Sequence, residues 1–440
     1  MASRWSGGFG VGVELGGGGA RPLVRVDARD ASAVTAALRS ALSGAGPAVL
    51  PTQPAADALA SGECGLAGEV LGVVPEGVVL VIETSGSTAE PKRVMLTGDA
   101  LRASAAATYA RFDLLFGRAR AAEPTRQWLL TLPASYVAGA QVLMRSILAG
   151  TEPVVLGDGH FTADGFARAA EELTADRRYV SLVPAQLARL LDGSPAVADV
   201  VARFDAILVG GQSLPPSLRE RAAALGWNLA TSYGSSETSG GSVYNGEPLD
   251  GVRIRVRDGE VQLAGPVLAA GYLGDPRRTA EAFVEDDGER WYRTSDGGRL
   301  ERDETTGRER LVVTGRLDNV IVSGGEKVLL DRVEGIVRRL PGLEGAVVVA
   351  AASEEWGQVP ALVVEASAWG APGAEAPVAA RLLDARELSG DERWLAVRAA
   401  VAPVGRAARP SKLLVVDHLP QLQSGKPDRR SLERLVAELA

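Results

Sequence analysis

A single cysteine, Cys64, is all that these 440 residues contain. An intramolecular disulfide is therefore excluded, and so is a zinc site built on paired thiols. Two histidines, His160 and His418, leave little material for a His relay or a His-based metal site, and neither stands in a motif. Long apolar runs are also missing: Ala346 to Ala352 is typical of the longest, far below the ~20 residues that a spanning helix needs. Near the start of the chain, Glu14 and the glycines Gly16 to Gly19 interrupt the basic-then-apolar layout of a signal peptide, so a cytoplasmic protein is expected. Positive charge is in deficit, with 47 basic against 55 acidic residues and a formal net charge of -8. That balance argues against a protein whose main task is to coat nucleic acid or an acidic membrane, and it leaves a local basic site open.

Lysine is scarce in a telling way. Of the 47 basic residues only Lys92, Lys327, Lys412 and Lys426 are lysine, the rest being arginine. A lysine kept in a glycine-bearing loop of such a chain points to a job for a compact ammonium, and Lys92, Lys327 and Lys426 fit that description. Random survival of a few lysine codons is the plainer reading, so the feature is a pointer only.

The composition, 46% hydrophobic and 23% charged, is that of a folded soluble protein with room for more than one domain. Glycine is abundant, 52 residues against a usual ~7%, and clusters between apolar runs, as tight loops require. Between Val78 and Gly240 the chain alternates apolar strands (Val78 to Ile82, Trp128 to Leu132, Val154 to Leu156, Tyr179 to Val183, Asp205 to Val209, Asn228 to Ser232) with helical patterns (Asp99 to Arg111, Ala138 to Ala149, Pro215 to Leu225). Alternation of this kind predicts βαβ units on one largely parallel sheet. Val252 to Leu263 then alternates across an Asp258-Gly259 turn, which predicts a β-rich subdomain. From Asn319 onward short strands and two helices, Leu330 to Leu340 and Ser431 to Leu439, predict a compact α+β unit. The fold expected is α/β: an N-terminal domain over residues 1–317 and a small α+β domain over 318–440, which the resemblance drawn below implies to be mobile, with Ala366 to Ala380 as a surface excursion.

Five polar constellations stand at or near strand ends. Thr84-Ser85-Gly86-Ser87-Thr88-Ala89-Glu90-Pro91-Lys92 offers N–H, O–H and ammonium donors to phosphate oxygens, yet lacks the ending of a Walker loop. Thr231 to Thr238 carries Glu237 beside hydroxyls, where a carboxylate could hold Mg²⁺ on a nucleotide. Tyr292 to Gly297 carries Asp296, a candidate acceptor for ribose hydroxyls. Thr314 to Asn319 with Ser323 to Lys327, and Gln423 to Asp428, complete the set. Each alone reads equally well as a solvated turn. All five in this order and spacing do not.

Together these motifs resemble the adenylate-forming superfamily of acyl-CoA synthetases, peptide-synthetase adenylation domains and luciferases, from about Val78 to Leu435. Leu132-Pro133-Ala134-Ser135-Tyr136-Val137-Ala138-Gly139 and Ser239 to Tyr244 look most like the bacterial o-succinylbenzoate:CoA ligases of menaquinone biosynthesis. The resemblance implies ATP, Mg²⁺ and coenzyme A as ligands, a small carboxylic acid as substrate, and no nucleic acid or membrane insertion; a homo-oligomer is left open. By carry-over, Lys426 and Thr88 join Glu237 as catalytic, with Glu237 holding the metal. Nucleotide and coenzyme contacts fall to Thr84, Ser85, Gly86, Ser87, Thr88, Lys92, Gly210, Gly211, Gln212, Tyr233, Gly234, Thr238, Asp296, Arg316, Ser323, Gly324, Gly325 and Lys426. Ser135, Tyr136, Gly211, Ser235, Ser239 and Gly240 are implied near the acid, and Asp318 as the hinge.

Departures from the family pattern are Ala89 and Arg93, where its loop has glycine, and Ser135, where many relatives carry His or an aromatic gate. Another acid:CoA ligase, an adenylation enzyme loading a carrier protein in trans, and a non-catalytic nucleotide-binding scaffold remain as alternatives. Lys426, Glu237 and Asp296 together weigh against the scaffold.

Overall fold

The computed structural model describes residues 19–53, 69–84, 91–117, 124–157, 160–304, 307–369, 380–422 and 426–440. The phosphate-loop candidates Ser85, Gly86, Ser87 and Thr88, with Ala89 and Glu90, lie outside the described residues, as do Cys64 and Gln423 to Gly425.

The described residues form four sheets. In the first, the strand order is Gly271–Tyr272, Lys92–Thr97, Val78–Thr84, Ala48–Thr52, Ala20–Asp27 and Val70–Pro75. The second runs Glu247–Pro248, Gly240–Tyr244, Leu229–Ser235, Ala206–Val209, Arg177–Leu182, Arg126–Leu130 and Val154–Val155, and its last five strands are parallel. One sequence expectation is corrected here: Val78 to Ile82 is not part of the parallel sheet. It pairs antiparallel with Lys92–Thr97 in the first sheet. A fully buried apolar run does not disclose which sheet it enters, because both faces are covered in either place. The strands and helix before Val78 (Ala20–Asp27, Ala31–Leu42, Ala48–Thr52) also went unread.

The predicted helices are present, three with longer bounds, while Pro216–Ala224 and Leu330–Val337 are shorter than expected. Gly98–Phe116 starts where Thr97 Oγ1 accepts the Ala100 N–H at 3.1 Å. Val137–Ala149 ends on Gly150, whose φ of 70° is the left-handed stop that glycine permits. These two helices and Ala31–Leu42 pack between the first two sheets, around Leu80, Leu101, Phe112, Trp128, Leu143 and Tyr244. A second core, with Phe166, Leu187, Val201 and Phe204, covers the other face of the parallel sheet.

The third sheet is antiparallel and holds the predicted Asp258-Gly259 hairpin, both residues at positive φ (51° and 79°) as a primed turn requires. Its long strands Glu289–Arg302 and Glu309–Arg316 pair so that Asp296 faces Arg316. Residues 317–319 lead into Val320–Ser323 of the fourth sheet, whose order is Glu326–Leu329, Val320–Ser323, Gly357–Glu365, Lys412–Val416, Arg381–Asp384, with Val347–Ser353 beside Gly357–Glu365. Helices Leu330–Val337 and Glu392–Val401 cover one face of it and Arg429–Leu439 the other. Of the supposed surface excursion, Ala366–Trp369 is helical and Trp369 is buried in this core, a correction; residues 370–379 lie outside the described set.

Candidate active site

Parallel strands send their following segments out at one edge, and this geometry gathers the candidates. Ser135 and Tyr136 follow Arg126–Leu130, with Tyr136 at the start of helix Val137–Ala149. Gly210, Gly211 and Gln212 follow Ala206–Val209; Ser235 closes Leu229–Ser235, and the turn Ser236–Thr238 brings in Glu237. Gly234 has a reason to be glycine: a Cβ there would stand 2.2 Å from the Gly240 carbonyl across the strand pair. Tyr233, Gly234, Ser235, Leu263, Tyr292, Thr294, Asp296 and Arg316 line a narrow crevice.

Tyr233 donates its phenol to Asp296 Oδ2 at 2.6 Å, and Arg316 Nη1 lies 3.5 Å from Asp296 Oδ1. Burial pushes the Asp296 carboxyl above its ordinary value, while the Tyr233 bond and the Arg316 charge pull it down. Arg316 forks onto Asp318 through Nε (2.8 Å) and Nη2 (2.6 Å), which raises the guanidinium's pKa and lowers that of Asp318. Both side chains are over two-fifths exposed, so this pair contributes about 0–1 kcal/mol.

Lys426 reaches the same place from the far side of residues 317–319. A Cβ placed on Gly211 would lie 3.7 Å from its Cε. Burial lowers the Lys426 pKa, Arg316 lowers it further, and Asp296 and Glu237 oppose them. The lysine nonetheless keeps solvent-accessible surface, so its surroundings are a crevice open to water and not a closed core. Glu237, only 6% exposed, accepts from the Tyr272 phenol at 2.9 Å through Oε1, and its Oε2 has no hydrogen-bond partner among the described residues.

Lys426, the buried Glu237 carboxylate and the Asp296–Arg316 pair thus lie within electrostatic reach of one another. The sequence model of the AMP-binding enzyme family matches residues 27–293. The chain belongs to this family. A probable 2-succinylbenzoate–CoA ligase of Mycobacterium tuberculosis is 37% identical over 410 residues, 91% of this chain and 94% of that relative. The 2-succinylbenzoate–CoA ligase of Salmonella typhimurium is 33% identical over 299 residues, 66% of this chain and 59% of the relative. Among solved structures, ATP-bound MatB of Rhodopseudomonas palustris superposes with a TM-score of 0.71 at 19% identity, over 96% of this chain and 90% of that one. The o-succinylbenzoate CoA synthetase of Bacillus subtilis with its acyl-adenylate intermediate gives 0.62 at 22% identity, over 93% and 87%. At such identities the structural likeness shows the fold alone, and that fold is the α/β architecture expected from the sequence.

In this AMP-binding enzyme not every expected site residue reaches the cleft. Ser239, expected near the acid, is wholly buried with φ 53°; its hydroxyl donates to the Val267 carbonyl at 2.8 Å, so its side chain cannot meet a ligand. Thr238, also wholly buried, accepts the Ser235 N–H (2.9 Å) and donates to the Gly240 carbonyl (2.7 Å), which makes it a strut of the Glu237 turn. Gly240, at φ 91°, abuts Gln141 and Val137. Gly324 and Gly325 form a primed hairpin turn (φ 57° and 88°), with Gly324 tight against the Trp356 ring and Ser323 buried beneath.

Thr84 and Lys92 face each other across the first sheet at the two ends of the phosphate-loop segment. Lys92 Nζ lies 5.5 Å from the centroid of the Tyr272 ring. Tyr272, which meets both Glu237 and Lys92, was not singled out by the sequence. The one available signal was a tyrosine following glycine in Ala270-Gly271-Tyr272, in a chain with only seven tyrosines.

The donor set suits a magnesium ion carried by the nucleotide. Among the described residues no group of three or more His, Cys, Asp or Glu is assembled for a metal. One buried carboxylate with a spare oxygen fits Mg²⁺, which keeps waters and binds through one or two carboxylates plus substrate phosphates.

Proposed function

We propose that this chain is an ATP-dependent, AMP-forming 2-succinylbenzoate:CoA ligase that works in the cytoplasm and supplies menaquinone biosynthesis. The observation that carries the reading is the 37% identity to a relative so named across nearly the whole of both chains. The gathering of Lys426, Glu237, Asp296 and Arg316 about one cleft supports it.

In the first step an oxygen of the acid's carboxylate attacks the α-phosphorus of ATP. The bond from that phosphorus to the bridging oxygen breaks, and pyrophosphate leaves. In the second step the sulfur of coenzyme A attacks the acyl carbon, the carbon–oxygen bond to AMP breaks, and the thiol proton passes to solvent. Negative charge crowds the first transition state, so placement and cationic or N–H donors dominate its catalysis. Lys426 Nζ serves between the carboxylate and α-phosphate oxygens. Asp296 and Arg316 hold the ribose, Tyr233 a face of the adenine, and Gly210, Gly211 and Gln212 its edge, with Gly234 leaving room beside them. Thr84 and Lys92 hold the departing pyrophosphate together with Ser85, Gly86, Ser87 and Thr88. Ser135, Tyr136, Gly211, Ser235 and the backbone at Gly240 lie towards the acid. Glu237 would hold Mg²⁺, which neutralises phosphate charge when bound.

Residues 1–317 and 318–440 act as two bodies turning about Asp318, which withdraws Lys426 after adenylation and carries Ser323, Gly324 and Gly325 towards the coenzyme. The three-residue link 317–319 between two separately cored sheets supports this division.

The test is pyrophosphate release by the purified protein with MgATP, coenzyme A and a panel of acids, with mass spectrometry of products. A CoA thioester formed from 2-succinylbenzoate alone is the expected result. A thioester from a different acid overturns the substrate. Pyrophosphate exchange without thioester points to a carrier thiol, and ATP binding without exchange overturns the enzymatic reading.

A further inference from the structure

Glu237 is held at two points by a single short segment. Its main-chain carbonyl accepts the Ala269 N–H at 2.8 Å, and its Oε1 accepts the Tyr272 phenol at 2.9 Å. The tyrosine is itself placed rigidly. Only 4% of it is exposed, and its strand pairs with Lys92–Thr97 so that Tyr272 faces Val94. Its N–H donates to Thr279 Oγ1 at 2.9 Å. Gly271 before it takes φ 146°, and a Cβ there would come within 2.5 Å of the Thr279 side chain, so the strand can approach Thr279 only with glycine here. The ring is flanked by Phe283, with centroids 5.9 Å apart, and by the Lys92 ammonium.

Packing alone would be met by phenylalanine, which fills the same space. A phenol in this position adds one donor, and that donor is aimed at one oxygen of a buried carboxylate. A hydrogen bond to an ionised group is among the stronger ones, and it favours the carboxylate rotation that keeps Oε1 on the phenol. Oε2 is then the oxygen presented to a cation. We infer that Tyr272 is a positioning residue that orients Glu237 for the metal–nucleotide complex, and that the Lys92 contact ties this pair to the base of the phosphate-loop segment. The inference rests on the proposed role of Glu237 in holding the metal.

Partners that orient a metal-ligating side chain are commonly worth 10–100-fold in metal affinity. The experiment compares the full-length protein with Tyr272→Phe, Glu237→Gln and the double variant, using Mn²⁺ with α,β-methylene-ATP as one probe and metal-free AMP as the other. Affinity is read by calorimetry and by the Mn²⁺ electron paramagnetic resonance signal, and each variant's melting temperature is recorded. Tyr272→Phe is expected to weaken the manganese–nucleotide complex about tenfold, to leave AMP binding unchanged, and to add nothing in the Glu237→Gln background. Three results overturn the inference: full-strength manganese–nucleotide binding by Tyr272→Phe while Glu237→Gln loses it, an equal loss for both probes, or additive losses in the double variant. Unchanged binding by Glu237→Gln overturns the metal role on which the inference stands.

Discussion

Asp331 Oδ2 accepts the backbone N–H of Arg316 at 2.8 Å, so one carboxylate on helix Leu330–Val337 reaches back across residues 317–319 to the last residue of the preceding strand. Its Oδ1 accepts from Asn319 at 2.6 Å and lies 3.5 Å from Arg429, three residues beyond Lys426. Arg429 also forks onto Glu334 at 2.8 and 2.7 Å. Gly315 permits the approach, since a Cβ there would stand 2.5 Å from Asp331 Cβ. The segment bearing Lys426 is thereby registered on the link that joins the two halves.

Removing this latch should loosen the arrangement in which Lys426 faces Gly211. Asp331→Ala is expected to slow acyl-adenylate formation about tenfold, the worth of one or two charge-assisted bonds, and to leave thioester formation from supplied acyl-adenylate within about twofold. Single-turnover kinetics of each half reaction reads this out. Equal slowing of both steps would show the carboxylate to be a stability element only.

Lys426→Ala should abolish adenylation, a loss on the order of 10²–10³-fold or more, and spare the thioester step. The assignment fails if both half reactions fall together.

The lowered pKa of Lys426 has a direction in pH. Its folded value lies below 10.5, so in the free enzyme the ammonium is lost at lower pH than from an unperturbed lysine. kcat/KM for ATP in the adenylation reaction should therefore show an alkaline limb beginning below that value, and Lys426→Arg, slower throughout, should lack it. For stability the sign is the reverse of a salt-bridged lysine. Between the folded value and 10.5 the unfolded chain binds more protons, so stability rises with pH through that window as a partly desolvated charge is discharged.

Asp318→Pro restricts φ in the link and removes an N–H. Adenylation should stay within about threefold while thioester formation drops roughly tenfold or more, as expected where a conformational change separates the steps. Unchanged thioester formation would take Asp318 out of the mechanism.

Much of this molecule was legible before any coordinates. Period-2 and period-3.6 patterns located helices Gly98–Phe116 and Val137–Ala149 and the hairpin at Asp258-Gly259 because local sequence selects local geometry. The polar constellations were legible for the same reason, since chemistry at the end of a strand needs particular side chains in a short run. Sheet membership was not. Val78 to Ile82 and Trp128 to Leu130 are both wholly apolar and buried, and only long-range pairing sends them to different sheets. Nor could spacing tell that Ser239 and Thr238 point into protein while Glu237 between them and Ser236 keeps an oxygen without a hydrogen-bond partner among the described residues, because a tight turn sends successive side chains in different directions.

Residue types and their order along the chain were thus determined by the sequence itself: which carboxylates, which lysines, which glycine turns, and hence the class of chemistry. Tertiary structure alone decided which groups meet. Tyr272 and Glu237 are 35 residues apart, and Asp331 and Arg316 are 15 apart. Those contacts arise when separate elements pack together, and hydrogen bonds over such separations leave no periodic trace in the chain that makes them.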